Sequence, residues 1–313
     1  MRSKTSAFSP DRQHKLGSRN AQVYFVPCSD GHRFVVAKAA RTSGENFAQS
    51  LRNEYLALQE VSNRAGEALA DSFPRPLFLL EKEGILILSG VAGVSLAKRL
   101  RREANVFSGW RSLDRMREIG LRLGEWLQLF HGATASEIRM HHHEDYLSEL
   151  DSNSCRSQEL GVAASVLHQV RERAEASSRP LNGTPVPAAA THGDFVPTNI
   201  LFLGSRVGVV DFGSYCGQAP IYRDPAAFVA YIKLLASKPR YSRRALETLA
   251  DHFLLGYAQR LNHDLFRAFV LNAMLRITND GARGVLSARD SRRIGKALLA
   301  AAHGTGCSEH DAE

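Results

Sequence analysis

Apolar and polar residues alternate along this chain with two different periods, and the places where the period changes mark its elements. Val23-Tyr-Phe-Val26 and Arg33-Phe-Val-Val-Ala-Lys38 are dense in β-branched and aromatic residues, and Ser29-Asp30-Gly31 between them predicts a hairpin. Phe47, Leu51, Glu54/Tyr55, Leu58 and Val61 then recur at helical spacing, which predicts an amphipathic helix over Asn46–Arg64. Pro74 and Pro76 break the pattern before Leu77-Phe-Leu-Leu80, and Gly84-Ile-Leu-Ile-Leu88 follows as a further strand. The expectation up to Ser89 is a small α+β lobe of five strands and one helix, spanning 11–92, behind a polar, unpatterned tail at 1–10.

From Gly93 to the end the pattern is mostly helical, which predicts a larger lobe over 93–313. Trp110–His131 is the clearest helix, because Leu113, Met116, Leu123, Trp126, Leu127 and Phe130 share one face. Further helices are expected near 155–176, 224–236, 241–261, 263–278 and 288–303. Residues 180–191, rich in Pro and Gly, cannot form a stable helix. Asp224-Pro225 reads as an N-cap with proline at the first helical position.

Composition adds bounds. The 313 residues, 44% hydrophobic and 23% charged, suit one large domain or two packed lobes and exclude wholesale disorder. The longest uncharged apolar stretch, Gly84–Ala97, is too short to span a bilayer, and no apolar segment follows the first residues, so neither a membrane span nor a signal peptide is expected. Cys28, Cys155, Cys216 and Cys307 are far apart, which argues against a zinc site or a disulfide framework and for a cytoplasmic location. The net charge of +8 is concentrated in residues 1–41, with eight Lys/Arg against two Asp, and in 98–122, with eight against three. Lys98-Arg-Leu-Arg-Arg102 is read as the solvated face of a helix and not as a nucleic-acid patch. His141-His-His143 is read as a solvated loop, since successive side chains on a regular element diverge.

The informative chemistry lies between 192 and 213. Ile200-Leu-Phe-Leu203, the turn Gly204-Ser205 and Arg206-Val-Gly-Val-Val210 read as a tight hairpin. With Leu203 opposite Arg206, Asn199 falls opposite Val210 and Asp211 lies one diagonal step away, within about 5 to 8 Å. Asp194, five residues before Asn199, sits in an irregular Gly- and Pro-containing loop that can aim its carboxylate at the same space. Three oxygen-bearing groups of this kind suit Mg²⁺, with Asn199 and Asp211 as ligands and Asp194 orienting or deprotonating an attacking hydroxyl.

His192-Gly-Asp194, four residues, Asn199, then Asp211-Phe-Gly213 resembles the aminoglycoside phosphotransferase and choline kinase group of the protein-kinase-like superfamily. Gly193 stands where protein kinases carry Arg, as is typical of the small-molecule branch. The resemblance covers most of the chain. It implies a two-lobed protein-kinase-like α+β fold, an antiparallel-sheet lobe with one helix followed by a helical lobe, binding ATP (GTP is not excluded) and Mg²⁺. Lys38, ending Val35-Val-Ala-Lys38, is similar to the family's strand lysine. Glu54 shares the apolar face of its helix with Leu51 and Leu58, where a carboxylate needs a partner, so it is expected to pair with Lys38. Leu16-Gly-Ser-Arg-Asn20 is similar to the family's phosphate loop, which implies contacts from Gly17 and Ser18. The stretch Leu88–Leu96 resembles the hinge, implying that the Ser89 carbonyl and the Val91 amide meet adenine. His192 and His131 are read as supporting residues.

The expected activity is transfer of the γ-phosphoryl group to a hydroxyl of a sugar, glycolipid head group, amino alcohol or aminoglycoside. The basic net charge, including Lys238-Pro-Arg-Tyr-Ser-Arg-Arg244, favours a neutral or anionic acceptor over a polycation. The competing classes are a catalytically silent nucleotide-binding regulatory protein and a protein Ser/Thr kinase. The first is opposed by the complete polar set, the second by Gly193 and the lack of Ala-Pro-Glu after Asp211. No nucleic-acid partner is expected, while peripheral lipid contact and oligomeric state stay open.

Overall fold

A computed structural model of the chain describes residues 16–17, 21–28, 34–40, 45–108, 111–282 and 284–304. The chain divides into two compact units, one running to Ala92 and including Gly208–Ser214, the other made of Gly93–Val207 and Tyr215 onward. The expected tail at 1–10, the turn Ser29–Gly31, Ser18, Trp110 and Cys307 lie outside the described residues.

The first unit contains β1 (Leu16–Gly17), β2 (Ala21–Pro27), β3 (Phe34–Ala40), α1 (Glu45–Arg64), α2 (Gly66–Leu69), β4 (Pro76–Leu80) and β5 (Ile85–Ser89). Its antiparallel sheet runs β1-β2-β3-β5-β4. Lys38 is centrally placed in β3, paired with Val23 on one side and Leu86 on the other. Leu51, Leu58 and Val61 of α1 are buried together with Leu86 and Leu88 of β5, the apolar stripe that the helical spacing predicts. Pro76 begins an edge strand, where a missing N–H costs no ladder bond, and a register shift follows it. The short α2 corrects the expectation of a single helix. Four residues are too few for a periodic signal.

The second unit holds β6 (Val94–Ser95), α3 (Leu96–Glu103), α4 (Arg111–Ala133), β7 (Ala135–Met140), α5 (His143–Glu159), α6 (Ala164–Ser178), β8 (Pro185–Thr191), β9 (Ile200–Leu203) and, in part, β10 (Arg206–Val209). It continues with β11 (Cys216–Pro220), α7 (Arg223–Ala236), α8 (Arg243–Tyr257), α9 (His263–Gly281) and α10 (Ala288–Ala302). Two small sheets run β10-β9-β6 and β11-β8-β7. Gly204, at φ 60°, supplies the left-handed residue of the two-residue turn between β9 and β10.

Two expectations are corrected in this unit. The helix expected over 155–176 is two helices, α5 and α6, turning at residues 160–163. Val162 is buried at the turn, so the apolar rhythm runs through the break and hides it. The proline-rich 185–191 is not helical, as expected, and forms the central strand of a sheet. His141-His-His143 is not a solvated loop: His141 and His143 are buried and both face the Ser178 hydroxyl, at 2.7 and 3.0 Å.

The packing of α4 on α8 fixes the core behind the loop between β8 and β9. Gly124 and Gly256 let the two backbones approach so closely that a Cβ at Gly124 would lie 2.2 Å from the Phe253 carbonyl oxygen, and one at Gly256 2.3 Å from that of Leu121. Against this contact Trp126 stacks on Phe195 with centroids 5.8 Å apart, and Phe195 also meets Phe228 and Phe253. Among the described residues no helix is long and apolar enough to cross a membrane.

Overpacking a backbone contact of this kind costs about 1–3 kcal/mol. Gly124→Ala is therefore expected to lower the stability measured by urea denaturation by at least that amount. Gly132→Ala, on the same helix with open space around it, is expected to be neutral or to stabilise by up to about 1 kcal/mol.

Candidate active site

The first unit contributes an ammonium held between two carboxylates. Lys38 Nζ donates to Glu54 Oε1 at 2.6 Å, to Glu54 Oε2 at 2.8 Å and to Asp211 Oδ1 at 2.8 Å. Glu54 is 3% exposed, as its place among Leu51 and Leu58 requires. Burial pushes its carboxyl above the ordinary range, opposed by Lys38, while Asp211 adds to the rise. Burial acts on Lys38 to lower its pKa, but Glu54 and then Asp211 outweigh it, so the lysine is held protonated.

Asp211 reaches Lys38 through an unusual backbone. Its φ is 73°, in the left-handed region that few non-glycine residues enter, Asp and Asn more readily than most. The ladder ends at Val209, whose N–H donates to the Ser72 carbonyl at 2.7 Å. Phe212 is fully buried against Phe73 and starts a 3-10 turn, Phe212–Ser214, with its N–H turned to the Glu54 carboxylate. The position of Asp211 is thus set by this bend and by Lys38. The regular strand ends two residues before Asp211.

The second unit contributes the loop between β8 and β9. Asn199 Nδ2 donates to Asp194 Oδ2 at 2.8 Å and to the Asp194 carbonyl at 3.0 Å. Those two acceptors fix the amide orientation, so that its nitrogen faces Asp194 and its oxygen is turned away. The Asp194 N–H donates to His192 Nδ1 at 3.2 Å, the Val196 N–H to the Asp194 carbonyl at 2.9 Å, and the Ala97 N–H at the start of α3 to the Pro197 carbonyl at 2.9 Å. Phe195, buried in the aromatic stack, pins the loop from below. The Asp194 side chain is 37% exposed and its Oδ1 lies 3.7 Å from a guanidinium nitrogen of Arg276 on α9.

A fully buried carboxylate grips this loop. Asp224 Oδ2 accepts from the His192 N–H at 2.7 Å and Oδ1 from the Gly193 N–H at 2.9 Å. Gly193 has φ 79°, a conformation that a side chain would strain. His131 Nε2 lies 3.3 Å from the same Oδ2, and its Nδ1 lies 2.7 Å from the Tyr257 hydroxyl. A carboxylate selects the tautomer that donates to it, leaving Nδ1 to accept from Tyr257. Burial alone would raise the Asp224 pKa, but His131 and then His192 outweigh it and hold it below the ordinary value.

Among the described residues no three His, Cys, Asp or Glu side chains form a metal cluster. Gly17 ends β1, paired with Gln22. Ser89 ends β5, where its hydroxyl accepts from the Arg75 N–H at 2.8 Å, and Val91 follows just before the boundary of the first unit.

The phosphotransferase enzyme family known as APH has a family model that matches residues 12–260. The chain belongs to that family. No curated protein matches it. Solved structures with the same fold include the streptomycin and ATP ternary complex of APH(2″)-IIa, at 12% identity over 94% of this chain and 93% of that one, with a TM-score of 0.55. Amicoumacin kinase hAmiN, solved with AMP-PNP, Ca²⁺ and amicoumacin, has 14% identity over 96% and 90%, with a TM-score of 0.60. A glucosamine kinase has 15% identity over 92% and 90%, with a TM-score of 0.55. This member of the APH family is accordingly a phosphotransferase with an α+β, protein-kinase-like fold.

Within this phosphotransferase two polar residues escaped the reading of its sequence. Asp224 looked like a helix cap, yet the helix begins at Arg223 and the carboxylate faces the loop between β8 and β9. The signal was available: an acid inside the apolar run Pro220–Leu235 needs a partner, by the argument already applied to Glu54. Arg276 likewise stands alone after Met274-Leu275 in an apolar helix face. Its target lies in the distant segment around Asp194 and nothing local names it.

Asp224→Asn puts an amide in place of the acceptor of two backbone N–H groups and is expected to cost about 3 kcal/mol near neutral pH. A carboxyl whose folded pKa is depressed contributes stability above its unfolded value and loses it as pH falls through the folded one. The gap between wild type and Asp224→Asn should stay constant from about pH 7 to pH 5 and narrow below about pH 4, read by urea titrations across that range.

Proposed function

We propose that this chain transfers the γ-phosphoryl group of ATP, bound with Mg²⁺, to a hydroxyl group of a small molecule. The observation that carries this reading is Asp194: one carboxylate oxygen is fixed by Asn199, the backbone is locked by Asp224 and Phe195, and the side chain remains open to a ligand. A carboxylate so held can orient an acceptor hydroxyl and take its proton as the bond to phosphorus forms. Lys38, kept charged and fixed by Glu54, is assigned to the donor phosphates.

Hard oxygen donors suit Mg²⁺. The Asn199 amide turns its oxygen away from Asp194, and the Asp211 side chain is 49% exposed, so both fit the role of ligand. When bound, the ion neutralises phosphate charge. Few protein ligands are expected, because Mg²⁺ in such sites is completed by phosphate oxygens and water. Gly17 and Ser18 are assigned to the phosphate loop, and the Ser89 carbonyl and Val91 amide to the adenine edge.

Several known members of the fold act on aminoglycosides, amicoumacin or glucosamine. For this chain Arg276, 3.7 Å from the Asp194 carboxylate, favours a neutral or anionic hydroxylated acceptor, such as a sugar or sugar phosphate. A polycation brought to Asp194 would meet a guanidinium. The complete set of Lys38, Glu54, Asp194, Asn199 and Asp211 also opposes a purely regulatory role.

Magnesium-dependent ATP consumption, screened over sugars, sugar phosphates, amino alcohols and aminoglycosides, tests the class of reaction. Loss of a general base typically costs 10²–10⁴-fold in rate. Asp194→Asn is expected to retain ATP affinity within about twofold while turnover falls by about 10²-fold or more. Undiminished turnover in that variant would remove the assignment.

A further inference from the structure

The C-terminal half of α7, one face of α8 and one face of α10 line a cleft of about 660 Å³ within the second unit. This is the size range of small-molecule sites. Lys233 is nine residues along α7 from Asp224, roughly 13 Å at the helical rise, and no residue of the loop 192–199 lines the cleft. It is therefore separate from the catalytic segment.

Its walls combine two chemistries. Ile232, Leu254 and Ala297 give a floor that is mostly apolar. Six cations, from Lys233, Arg243, Arg289, Arg292, Arg293 and Lys296, line it against two carboxylates, Glu247 and Asp251. Glu247 is bonded to Arg243 at 2.6 Å, and Arg293 to Asp290 at 2.8 Å and to the Ser237 hydroxyl at 2.9 Å. Lys233, Arg289 and Lys296 have no ion-pair partner among the described residues. Lys238, next to the cleft, is pushed below its ordinary value by burial and then by Arg293 and Arg240, as expected where positive charge accumulates.

A purely structural surface has no need to gather, around apolar side chains, cations that lack an ion-pair partner among the described residues. We infer that this cleft is a second ligand site, for a small anionic amphiphile whose apolar body lies on Ile232, Leu254 and Ala297 while its phosphate or carboxylate head meets Lys233, Arg289 and Lys296. The inference does not rest on the acceptor assigned to Asp194.

Calorimetric titration of the full chain with octyl phosphate below its micellar concentration, with octyl glucoside and inorganic phosphate as partial probes, tests it. Octyl phosphate is expected to bind at least tenfold more tightly than either partial probe. The triple variant Lys233→Gln, Arg289→Gln, Lys296→Gln, and separately Ala297→Trp, should each lose at least tenfold, with the circular dichroism spectrum unchanged. Asp194→Asn should bind octyl phosphate as wild type does, which separates this cleft from the catalytic phosphate site. Equal binding of octyl glucoside, equal binding of inorganic phosphate, or variants that bind normally would each overturn the proposal.

Discussion

A carboxylate removed from water must find hydrogen-bond donors, and this requirement organises the active site of the protein. Glu54 and Asp224 are both buried on helices whose neighbouring positions are apolar. Each is satisfied from a distant point in the chain: Glu54 by Lys38 on a strand, Asp224 by the backbone N–H groups of His192 and Gly193. The cost of leaving such a group unpaired exceeds the net worth of the pair, so the contact works mainly by penalising alternatives.

The consequences differ in the two units. In the first, satisfying Glu54 immobilises a protonated lysine, and that lysine in turn draws in Asp211 through a left-handed backbone that Phe212 anchors in the core. In the second, satisfying Asp224 shapes a loop whose own hydrogen bonds, Asn199 to Asp194 above all, orient one carboxylate toward solvent. Fixed charge of this sort is what phosphoryl transfer asks of a protein, because positioning and neutralisation supply most of the catalysis.

Much of this was legible in the sequence where local pattern and chemistry agreed. The helix period placed Glu54 on an apolar face, where a carboxylate needs a partner, and the family resemblance named Lys38 as that partner. The hairpin around Gly204 was visible from a turn residue between two apolar runs. Legibility failed where the deciding partner was remote or the local signal was disguised. Asp211 departs from the ladder because of Phe73 and Lys38, neither of which is near it in sequence. His141 and His143 looked solvated because nothing adjacent reveals Ser178, and the strand at 185–191 was masked by its prolines, of which Pro187 falls where the pairing with β7 shifts register. The acceptor region carries no motif, and only the fold brings Arg276 to Asp194.

The central claim is that the cluster of Lys38, Glu54 and Asp211 receives nucleotide together with a divalent cation. Calorimetry of ATP binding to wild type and to Asp211→Asn, each with and without Mg²⁺, reaches it most directly. The account predicts binding at least tenfold tighter with the metal in the wild type, and loss of that metal dependence in the variant. Binding of equal strength with and without Mg²⁺, or a variant that keeps the full metal effect, would contradict it.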